Sequence, residues 1–398
     1  MLEGLKVIEL ATYVAAPGAG ALMADWGADV VKVEAPAGDP FRQFLASAST
    51  EATINPVFEF DNRGKRSVVL DIKRTDAAEA LRALIGSADV FLTNVRPATL
   101  ARSNLDWTRL SAEYPRLIYA SVSGYGLTGD DADRAAFDHT AFWARAGVTG
   151  AMTPAGHEPP PPGTGVGDHI CAIATVAAVL AALIERDRTG KGKLVETSLL
   201  RAGTYVTGTN LALQLQRGRL PSPKPRTGAP NPLTNFFKAG DGRWFCLAAR
   251  QASKDWADIA RATRLPGLIA DPCFATARAR KENGAALVAL LDEVFAALTL
   301  EQIAERLDAA DVVWAPVLTP AEVVNDPQAI AAGCFQDARD ASGEAFRSPA
   351  GPARFNGAAD NAARPAPRLG QHTSEVLSAL GYSPMQIARV SGDEQVMS

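Results

Sequence analysis

One carboxylate stands where a glycine-rich turn meets a long apolar segment. Glycines at positions 163, 165 and 167 precede Asp168, and the apolar segment runs from residue 170 to residue 184. Backbone N–H groups at the beginning of a helix stabilise an anion, so we expect Asp168 to be ionised at neutral pH and able to act as a nucleophile. The same donors could hold the oxyanion of a carbonyl under attack. Aspartate is also a preferred N-cap residue, and helix capping is the alternative interpretation.

Other residue types that often carry catalysis lack the necessary spacing. None of the four histidines, His139, His157, His169 and His372, forms an HxxxH or HExxH pair. The sequence contains neither a GxSxG motif nor a Walker motif. We therefore expect no metal site, and we expect acidic residues to carry any covalent chemistry.

The apolar segment after Asp168 predicts a helix that continues to about Arg186. The sequence Thr189-Gly190-Lys191-Gly192 then supplies a stop signal, because glycine favours the C-terminal end of a helix. About fifteen apolar residues are too few to cross a bilayer. We expect a buried core helix and no membrane association.

Strand and helix patterns alternate through the first part of the chain. Runs rich in branched residues predict strands at residues 5–10, 29–34, 67–72, 89–94 and 117–123, with helices at residues 20–26 and 76–85 between them. This alternation predicts an α/β fold with a mostly parallel sheet covered on both faces. Ligands of such sheets bind at the carboxyl ends of the strands.

Basic residues recur close to those strand ends. They are Arg42, Arg63, Lys65, Arg66, Lys73, Arg96 and Arg102. Taken singly, each is expected to be a solvated surface charge. Gathered at one edge of the sheet, they would suit a ligand that carries several phosphates.

A dinucleotide is one such ligand, because Glu34 ends the second strand of a βαβ unit. The glycines argue against it. Gly18-Ala19-Gly20 is followed by Ala21-Leu22-Met23, so the third glycine of GxGxxG is missing. The glycines at 163–167 follow a proline-rich loop rather than a strand. A nicotinamide or flavin enzyme is therefore disfavoured.

Composition indicates an ordinary globular protein of 398 residues, enough for two domains. The net charge of -4 argues against general nucleic-acid binding. The four cysteines, at positions 171, 246, 273 and 334, form no CxxC pair and indicate reduced thiols. The first ten residues, MLEGLKVIEL, have no basic region followed by a long apolar one. We expect a cytoplasmic protein.

A segment rich in proline, glycine and basic residues, 218–232, predicts a linker. We expect residues 1–217 to form the N-terminal part of a large domain, residues 218–330 the linker and a smaller α+β domain, and residues 331–398 a segment that returns to complete the large domain. In the smaller domain, residues 235–249 predict a hairpin that turns at Asp241-Gly242.

Eight segments, in order, resemble the class III CoA transferases, a family that also includes the alpha-methylacyl-CoA racemases. The segments are GLKVIEL with the following APG, GADVVKVEAPAGDPFR, NRGKRSVVLDIK, ADVFLTNVRP, SVSGYGLTG, VGDHICAIATVAAVLAALIERDRTGKGKLVETSL, DGRW and APRLGQHTSEVL. The resemblance covers nearly the whole chain.

The resemblance implies that Asp168 is the nucleophile of a CoA transferase that moves CoA from an acyl-CoA to a carboxylic acid through an aspartyl-CoA thioester. It implies no permanently bound cofactor. It also implies an interlocked homodimer with a Rossmann-like large domain. The CoA contacts it implies are Val14, Ala15, Leu70, Asp71, Ile72, Lys73, Asn94, Val95, Arg96, Arg102, Phe137 and Asp138, with Arg42 as an additional contact. The phosphates of CoA would account for the basic residues.

Two other activities stay open within this resemblance. The racemases pair the corresponding aspartate with a histidine at the position of Phe137, and a shift of one residue could bring in His139 instead. A non-catalytic CoA-binding protein is the other alternative, although Asp168 within its glycine turn speaks against it.

The resemblance also bears on the acid substrate. Ala35 stands where the formyl-CoA transferases have an arginine, and residues 228–232 replace their run of glycines, so formate and oxalate are disfavoured. The segment FDHTAFWARAG is more similar to members that act on larger aryl or branched 2-hydroxy or enoyl acids. Phe137, Phe142 and Trp143 could form an apolar wall for such acids, or could simply be core residues.

Overall fold

Two compact units make up the chain. The computed structural model describes residues 1–44, 55–218, 223–249, 254–356 and 364–392. The first unit comprises Met1–Ala151, Pro161–Leu220 and Gln328–Ser398, and the second comprises Met152–Pro160 and Pro221–Pro327. The contacts thus assign residues 152–160, in the proline-rich loop, to the second unit, which the sequence did not suggest.

Strands and helices alternate in the N-terminal part of the first unit, as the sequence predicts. Its strands are β1 (Lys6–Leu10), β2 (Asp29–Glu34), β3 (Arg66–Val69), β4 (Val90–Thr93), β5 (Ile118–Ser123) and β6 (Lys193–Ser198). Its helices are α1 (Ala15–Asp25), α2 (Pro56–Asn62), α3 (Thr75–Gly86), α4 (Pro97–Arg102), α5 (Trp107–Glu113), α6 (Val148–Met152), α7 (Val166–Thr189), α8 (Leu199–Val206) and α9 (Gly208–Arg217). A short 3-10 helix, Pro40–Gln43, follows β2, and a π-helical segment, His139–Arg145, precedes α6.

The six strands form one sheet in the order β3-β2-β1-β4-β5-β6, and every pairing is parallel. This is the strand order of the Rossmann fold, and it confirms the predicted α/β class. Because all strands run the same way, their carboxyl ends share one edge of the sheet. Successive strands are added on one side of β1 up to β3 and on the other side from β4 onward. The topological switch point therefore lies between β1 and β4, where ligands of such sheets bind.

Successive residues of each strand point into two separate cores. Val7 on β1 and Val30 on β2 belong to the core that α1 and α7 cover. Their neighbours Ile8 and Val31 belong to the core on the other face, together with α3. Burial on both faces explains why these strands are nearly continuous apolar runs.

Helix α7 is longer and less buried than the sequence indicated. It has 24 residues, and by length and apolar composition alone it could cross a membrane, a test that core helices of soluble proteins also pass. The expectation that it is too short was therefore wrong. Val176, Val179 and Leu183 are buried, but Ile173 and Ile184 on the opposite face are exposed. Only one face of α7 belongs to the core.

The second unit is an α+β assembly. Its strands β7 (Thr234–Lys238), β8 (Trp244–Ala248) and β9 (Trp314–Pro316) form an antiparallel sheet, and its helices are α10 (Lys254–Ala262), α11 (Ala277–Glu282), α12 (Gly284–Ala296), α13 (Leu300–Ala309) and α14 (Pro320–Val323). Phe237, Phe245 and Phe295 form the centre of its core. The strands β7 and β8 are the hairpin that the sequence predicts.

The C-terminal segment returns to the first unit. It contains α15 (Pro327–Ala331), the antiparallel hairpin of β10 (Phe335–Arg339) and β11 (Ala345–Pro349), α16 (Thr373–Ala379) and α17 (Pro384–Ser391). The backbone of Ser67 on edge strand β3 bonds His372 in both directions, its N–H donating to Nδ1 and its carbonyl accepting from the His372 N–H. The Asp71 N–H donates to the Val390 carbonyl. The return segment therefore covers the open edge of the sheet.

Buried charges connect the strands near their carboxyl ends. Glu9 on β1 and Lys32 on β2 are register partners, and Lys32 Nζ lies 3.1 Å from Glu9 Oε1. The other Glu9 oxygen lies 2.8 Å from Lys65 Nζ, and Lys32 also pairs with Asp39 at 2.9 Å. All three side chains of the Glu9, Lys32 and Lys65 cluster are fully buried. Glu9 thus bridges two buried ammonium groups, and Asp39 supplies a second carboxylate to Lys32.

We predict that Glu9→Gln destabilises the protein by about 3–5 kcal/mol, because it leaves two buried lysines without their shared counter-charge. Urea unfolding at pH 7 and fixed protein concentration measures the change. The matched control is Glu3→Gln, an exposed glutamate whose loss should leave the free energy of unfolding nearly unchanged. A loss below about 1 kcal/mol for Glu9→Gln would contradict the prediction.

Candidate active site

Asp168 lies in the first turn of α7. The residue that caps the helix is Gly165, whose left-handed conformation, with φ of 72°, suits glycine. Asp168 is the third helical residue and makes no capping hydrogen bond. The structure therefore excludes the capping role that the sequence left open.

The carboxylate of Asp168 is partly buried and accepts no hydrogen bond from the residues that the structure describes. The pKa of Asp168 is raised to about 7, chiefly by burial and also by the negative charges of Asp138 and Asp61, against the opposing effect of His169. The Asp168 carboxyl is therefore partly protonated at neutral pH, which corrects the expectation that it is fully ionised. Burial and like charge outweigh the helix N-terminus.

Asp138 is the second carboxylate of the site, directly before the π-helical segment. It is buried, and its Oδ2 accepts a hydrogen bond from the Gly167 N–H at 3.3 Å. Glycine is required at 167 because a Cβ there would collide with Asp138 and Phe142. Since Asp138 already occupies the Gly167 N–H, that donor is not free to hold an oxyanion. Burial raises the pKa of Asp138.

A histidine and a third carboxylate complete this group. His169 follows Asp168, and its Nε2 lies 3.0 Å from Oδ1 of Asp61, a fully buried residue of α2. Phe60 packs edge-on against the imidazole ring, with centroids 5.2 Å apart. Asp61 is 108 residues from His169, and neither its spacing nor its neighbours pointed to it in the sequence.

The predicted CoA contacts after β1 and β4 lie side by side at the switch point. Val14 caps α1 and Ala15 is its first residue, both buried. Asn94 holds the two loops together, since its Nδ2 donates to the Thr12 carbonyl at 2.7 Å and its Oδ1 accepts from the Thr12 N–H at 3.1 Å. Val95 and Arg96 follow before α4 begins.

Tyr13 in the same loop was not predicted. Its backbone is left-handed, with φ of 66°, which is unusual for a bulky residue and marks functional sites. Asp39 stabilises this conformation by accepting the Tyr13 N–H at 3.2 Å. The Tyr13 ring meets the exposed ring of Phe137 edge to face, with centroids 5.4 Å apart. No local sequence signal encodes this conformation.

The turn after β3 carries the other predicted contacts. Leu70 is fully buried in the core and Ile72 packs against it. The Asp71 carboxylate accepts the Lys73 N–H within the turn. Of this group, Lys73 alone presents an exposed cation.

Four of the seven basic residues are occupied by internal partners. Arg42 pairs with Glu34 at 2.7 Å and donates to the Pro367 carbonyl, and Lys65 pairs with Glu9. Arg63 pairs with Asp25, and Arg66 pairs with Asp29. Lys73, Arg96 and Arg102 are exposed on turns and helices that follow β3 and β4. These three are the cations left at the carboxyl edge from the predicted set.

A sequence model of the family described as CoA-transferase family III matches residues 2–373. The chain belongs to CoA-transferase family III. It is 32% identical over 391 residues to (R)-2-hydroxy-4-methylpentanoate CoA-transferase of Clostridioides difficile, with 97% of each chain covered. It is 30% identical over 401 residues to cinnamoyl-CoA:phenyllactate CoA-transferase of Clostridium sporogenes, covering 100% of this chain and 97% of the relative.

A solved structure agrees with this assignment. The crystal structure of a CAIB/BAIF family protein from Brucella suis matches with a TM-score of 0.82 at 31% identity, covering 95% of this chain and 99% of that one. This member of CoA-transferase family III is therefore an enzyme that transfers CoA from an acyl-CoA to a carboxylic acid, as the sequence predicted.

The site geometry bears on the racemase alternative within the family. His139 is exposed, and its charge acts on Asp138 to lower the pKa of that residue. The groups that shift the pKa of Asp168 are Asp138, His169 and Asp61. The imidazole beside the nucleophile is thus that of His169, not that of His139.

We predict that Asp168→Asn stabilises the protein at alkaline pH. Because the folded protein holds the Asp168 proton to about pH 7, ionisation of Asp168 costs stability that grows as pH rises from about 4 to about 7 and is constant above that. The gain should reach about 2–4 kcal/mol at pH 8 and roughly half of that at pH 5. Denaturant unfolding at both pH values measures it.

The control is Asp187→Asn, at the exposed end of the same helix, which should show no gain that depends on pH in this way. An equal gain for Asp168→Asn at both pH values would contradict the raised pKa of Asp168.

Proposed function

We propose that this CoA transferase uses Asp168 as its nucleophile and carries CoA as an aspartyl thioester between donor and acceptor. The observation that supports this most directly is the free carboxylate of Asp168. It accepts no hydrogen bond from the described residues, and its pKa of about 7 makes the ionised form available at neutral pH. A carboxylate with this pKa is also a stronger nucleophile than an ordinary, more acidic one.

The proposed reaction is a sequence of acyl transfers. One Asp168 oxygen attacks the thioester carbonyl of the donor, a C–O bond forms, the C–S bond breaks, and CoA leaves as the thiolate. The thiolate attacks the Asp168 carbonyl of the mixed anhydride, which releases the donor carboxylate and leaves aspartyl-CoA. The acceptor carboxylate then repeats both steps in reverse. No oxidation occurs, and partial burial of Asp168 limits hydrolysis of these intermediates.

CoA is proposed to lie along the carboxyl edge of the sheet, near Val14, Ala15 and Asn94. Support comes from the strand order, which puts the switch point beside these residues. The exposed cations Lys73, Arg96 and Arg102 are available to phosphate oxygens. Arg42 is less available to a phosphate, because Glu34 and the Pro367 carbonyl already accept hydrogen bonds from its guanidinium group.

The acceptor acid is proposed to be a 2-hydroxy or 2-enoic acid with a branched or aryl side chain. The names of two relatives, which act on 2-hydroxy-4-methylpentanoate and on phenyllactate, support this class. Phe137 precedes Asp138 in the chain, and its exposed ring with that of Tyr13 offers an apolar surface for such a side chain. Phe142 is buried in the core and is not part of that surface.

A homodimer is proposed to cover the exposed face of α7. Val166, Ile173 and Ile184 are exposed, and Ala177 and Ala181 continue the same stripe at helical spacing for about 27 Å. Tyr205 on α8 and Leu215 on α9 are also exposed. A second copy of the chain is the proposed occupant, as expected of an interlocked dimer. A cytoplasmic location is proposed because the four cysteines are unpaired.

We predict that incubation with an acyl-CoA followed by hydroxylamine leaves a hydroxamate on the peptide that contains Asp168. Asp168→Asn should form no hydroxamate there and should lose more than about 10³-fold in turnover, as expected when a covalent nucleophile is removed. Peptide mapping by mass spectrometry is the measurement. Asp187→Asn on the same helix should form the hydroxamate at the native level.

A panel of acids then tests the acceptor class. Acids with branched or aryl side chains should release CoA from the aspartyl-CoA enzyme faster than formate or oxalate does. Turnover of Asp168→Asn within tenfold of native would contradict the nucleophile, and equal release by formate would contradict the acid class.

We predict that Ile173→Asp combined with Ile184→Asp converts a dimer to monomers, because two carboxylates would have to be desolvated in the interface. Analytical ultracentrifugation at micromolar concentration measures the mass. Met385→Asp places the same charge on another exposed apolar residue, on α17, and should leave the mass unchanged. A native protein that sediments as a monomer would refute the proposed dimer.

A further inference from the structure

His169 is held by the protein through one nitrogen of its ring. Nε2 faces the buried carboxylate of Asp61 at 3.0 Å. Gly165 lies beside the Nδ1 edge, and its carbonyl accepts the backbone N–H of His169 at 3.0 Å. Gly18 on α1 lets Asp61 and the ring approach, since a Cβ there would lie 3.2 Å from Asp61 Oδ1. A buried carboxylate at hydrogen-bond distance keeps a proton on Nε2 and favours the imidazolium form of the ring.

Nε2 of His169 is poorly placed for proton transfer to a substrate. A general acid or base needs a ring nitrogen within reach of the reacting atoms. Asp61 occupies Nε2, so what the ring contributes through this pairing is its charge. The same contacts, led by the hydrogen bond to Asp61, raise the pKa of His169 against the opposing effect of burial.

The charges around Asp168 show why a fixed cation matters there. Asp138, from the π-helical segment, and Asp61, from α2, both disfavour ionisation of Asp168, and His169 on its own helix favours it. Lys65 Nζ donates to the backbone carbonyl of Asp61 at 2.8 Å. Cys171, one turn along α7, stays neutral because burial raises its pKa to about 12.

We propose that His169, held as an imidazolium by the buried carboxylate of Asp61, is a positioning residue that supplies the positive charge against which Asp168 ionises. The inference rests on the proposed role of Asp168 as nucleophile and adds the device that keeps it reactive. Asp61 acts on Asp168 indirectly, because its carboxylate holds the proton on His169. In the acyl-enzyme Asp168 carries no charge, and Asp61 still holds the imidazolium in place.

The pH dependence of hydroxamate formation on Asp168 in a single turnover tests the proposal. His169→Gln keeps an amide N–H for Asp61 but removes the charge, so ionisation of Asp168 should move up by about one pH unit. The rate should fall about tenfold at pH 6 and match the native rate at pH 9. Asp61→Asn removes the partner that holds the proton on His169 and also a negative charge near Asp168, so its two effects oppose each other and it should change the profile less than His169→Gln does. His157→Gln, in an exposed loop, is the control and should leave the profile unchanged.

A second measurement separates this proposal from the proposed function. The stabilisation caused by Asp168→Asn, followed as a function of pH, reports the ionisation of Asp168 without turnover. In the His169→Gln background its midpoint should move up by about one pH unit. If the native enzyme forms no hydroxamate on Asp168, the proposed function fails, and this midpoint still decides the role of His169.

Two results would overturn the proposal. One is a His169→Gln profile that falls equally at pH 6 and pH 9, which would indicate a purely structural role. The other is an unchanged stability midpoint in the His169→Gln background, which would show that the ring carries no charge that Asp168 senses.

Discussion

The first unit depends on one carboxylate, Glu9, which is buried between the ammonium groups of Lys32 and Lys65. Two buried lysines would repel each other without it, and the desolvation of each charge is repaid only by close opposite charge. Through Lys65 the cluster contacts the backbone of Asp61, and Asp61 binds His169 beside Asp168. Charges of alternating sign thus lead from the sheet to the nucleophile.

That arrangement makes the site a compromise between stability and reactivity. A carboxylate in a first helical turn is usually stabilised by backbone donors, whereas Asp138 takes the Gly167 N–H and Asp168 receives no hydrogen bond from the described residues. Its raised pKa is a cost to folding, which enzymes commonly accept at the residues that react. The Rossmann-like sheet positions these residues at its carboxyl edge, and the side chains carry out the chemistry.

Sequence patterns predicted the elements whose formation depends on neighbouring residues in the chain. Branched runs located the strands, and the glycine turn located the start of α7. Helix α1 begins at Ala15 rather than Gly20, because packing against α7 overrides the weak helix propensity of Pro17 and Gly18. The polar hairpin of β10 and β11 carried no usable pattern. At the site, Asp168 and Asp138 were predicted, but the partnership of Asp61 with His169 and the pairing of Arg42 with Glu34 depend on the folded chain.

The order of the segments along the chain also determines when the first unit can finish folding during synthesis. The edge strand β3 is covered by residues near 372, and the Asp71 N–H donates to the carbonyl of Val390. The ribosome therefore synthesises the whole second unit before the sheet of the first unit can be completed. The edge of β3 stays uncovered while some three hundred further residues are translated. During that interval the edge is a template for pairing with another chain. The short length of β3, four residues, limits that hazard.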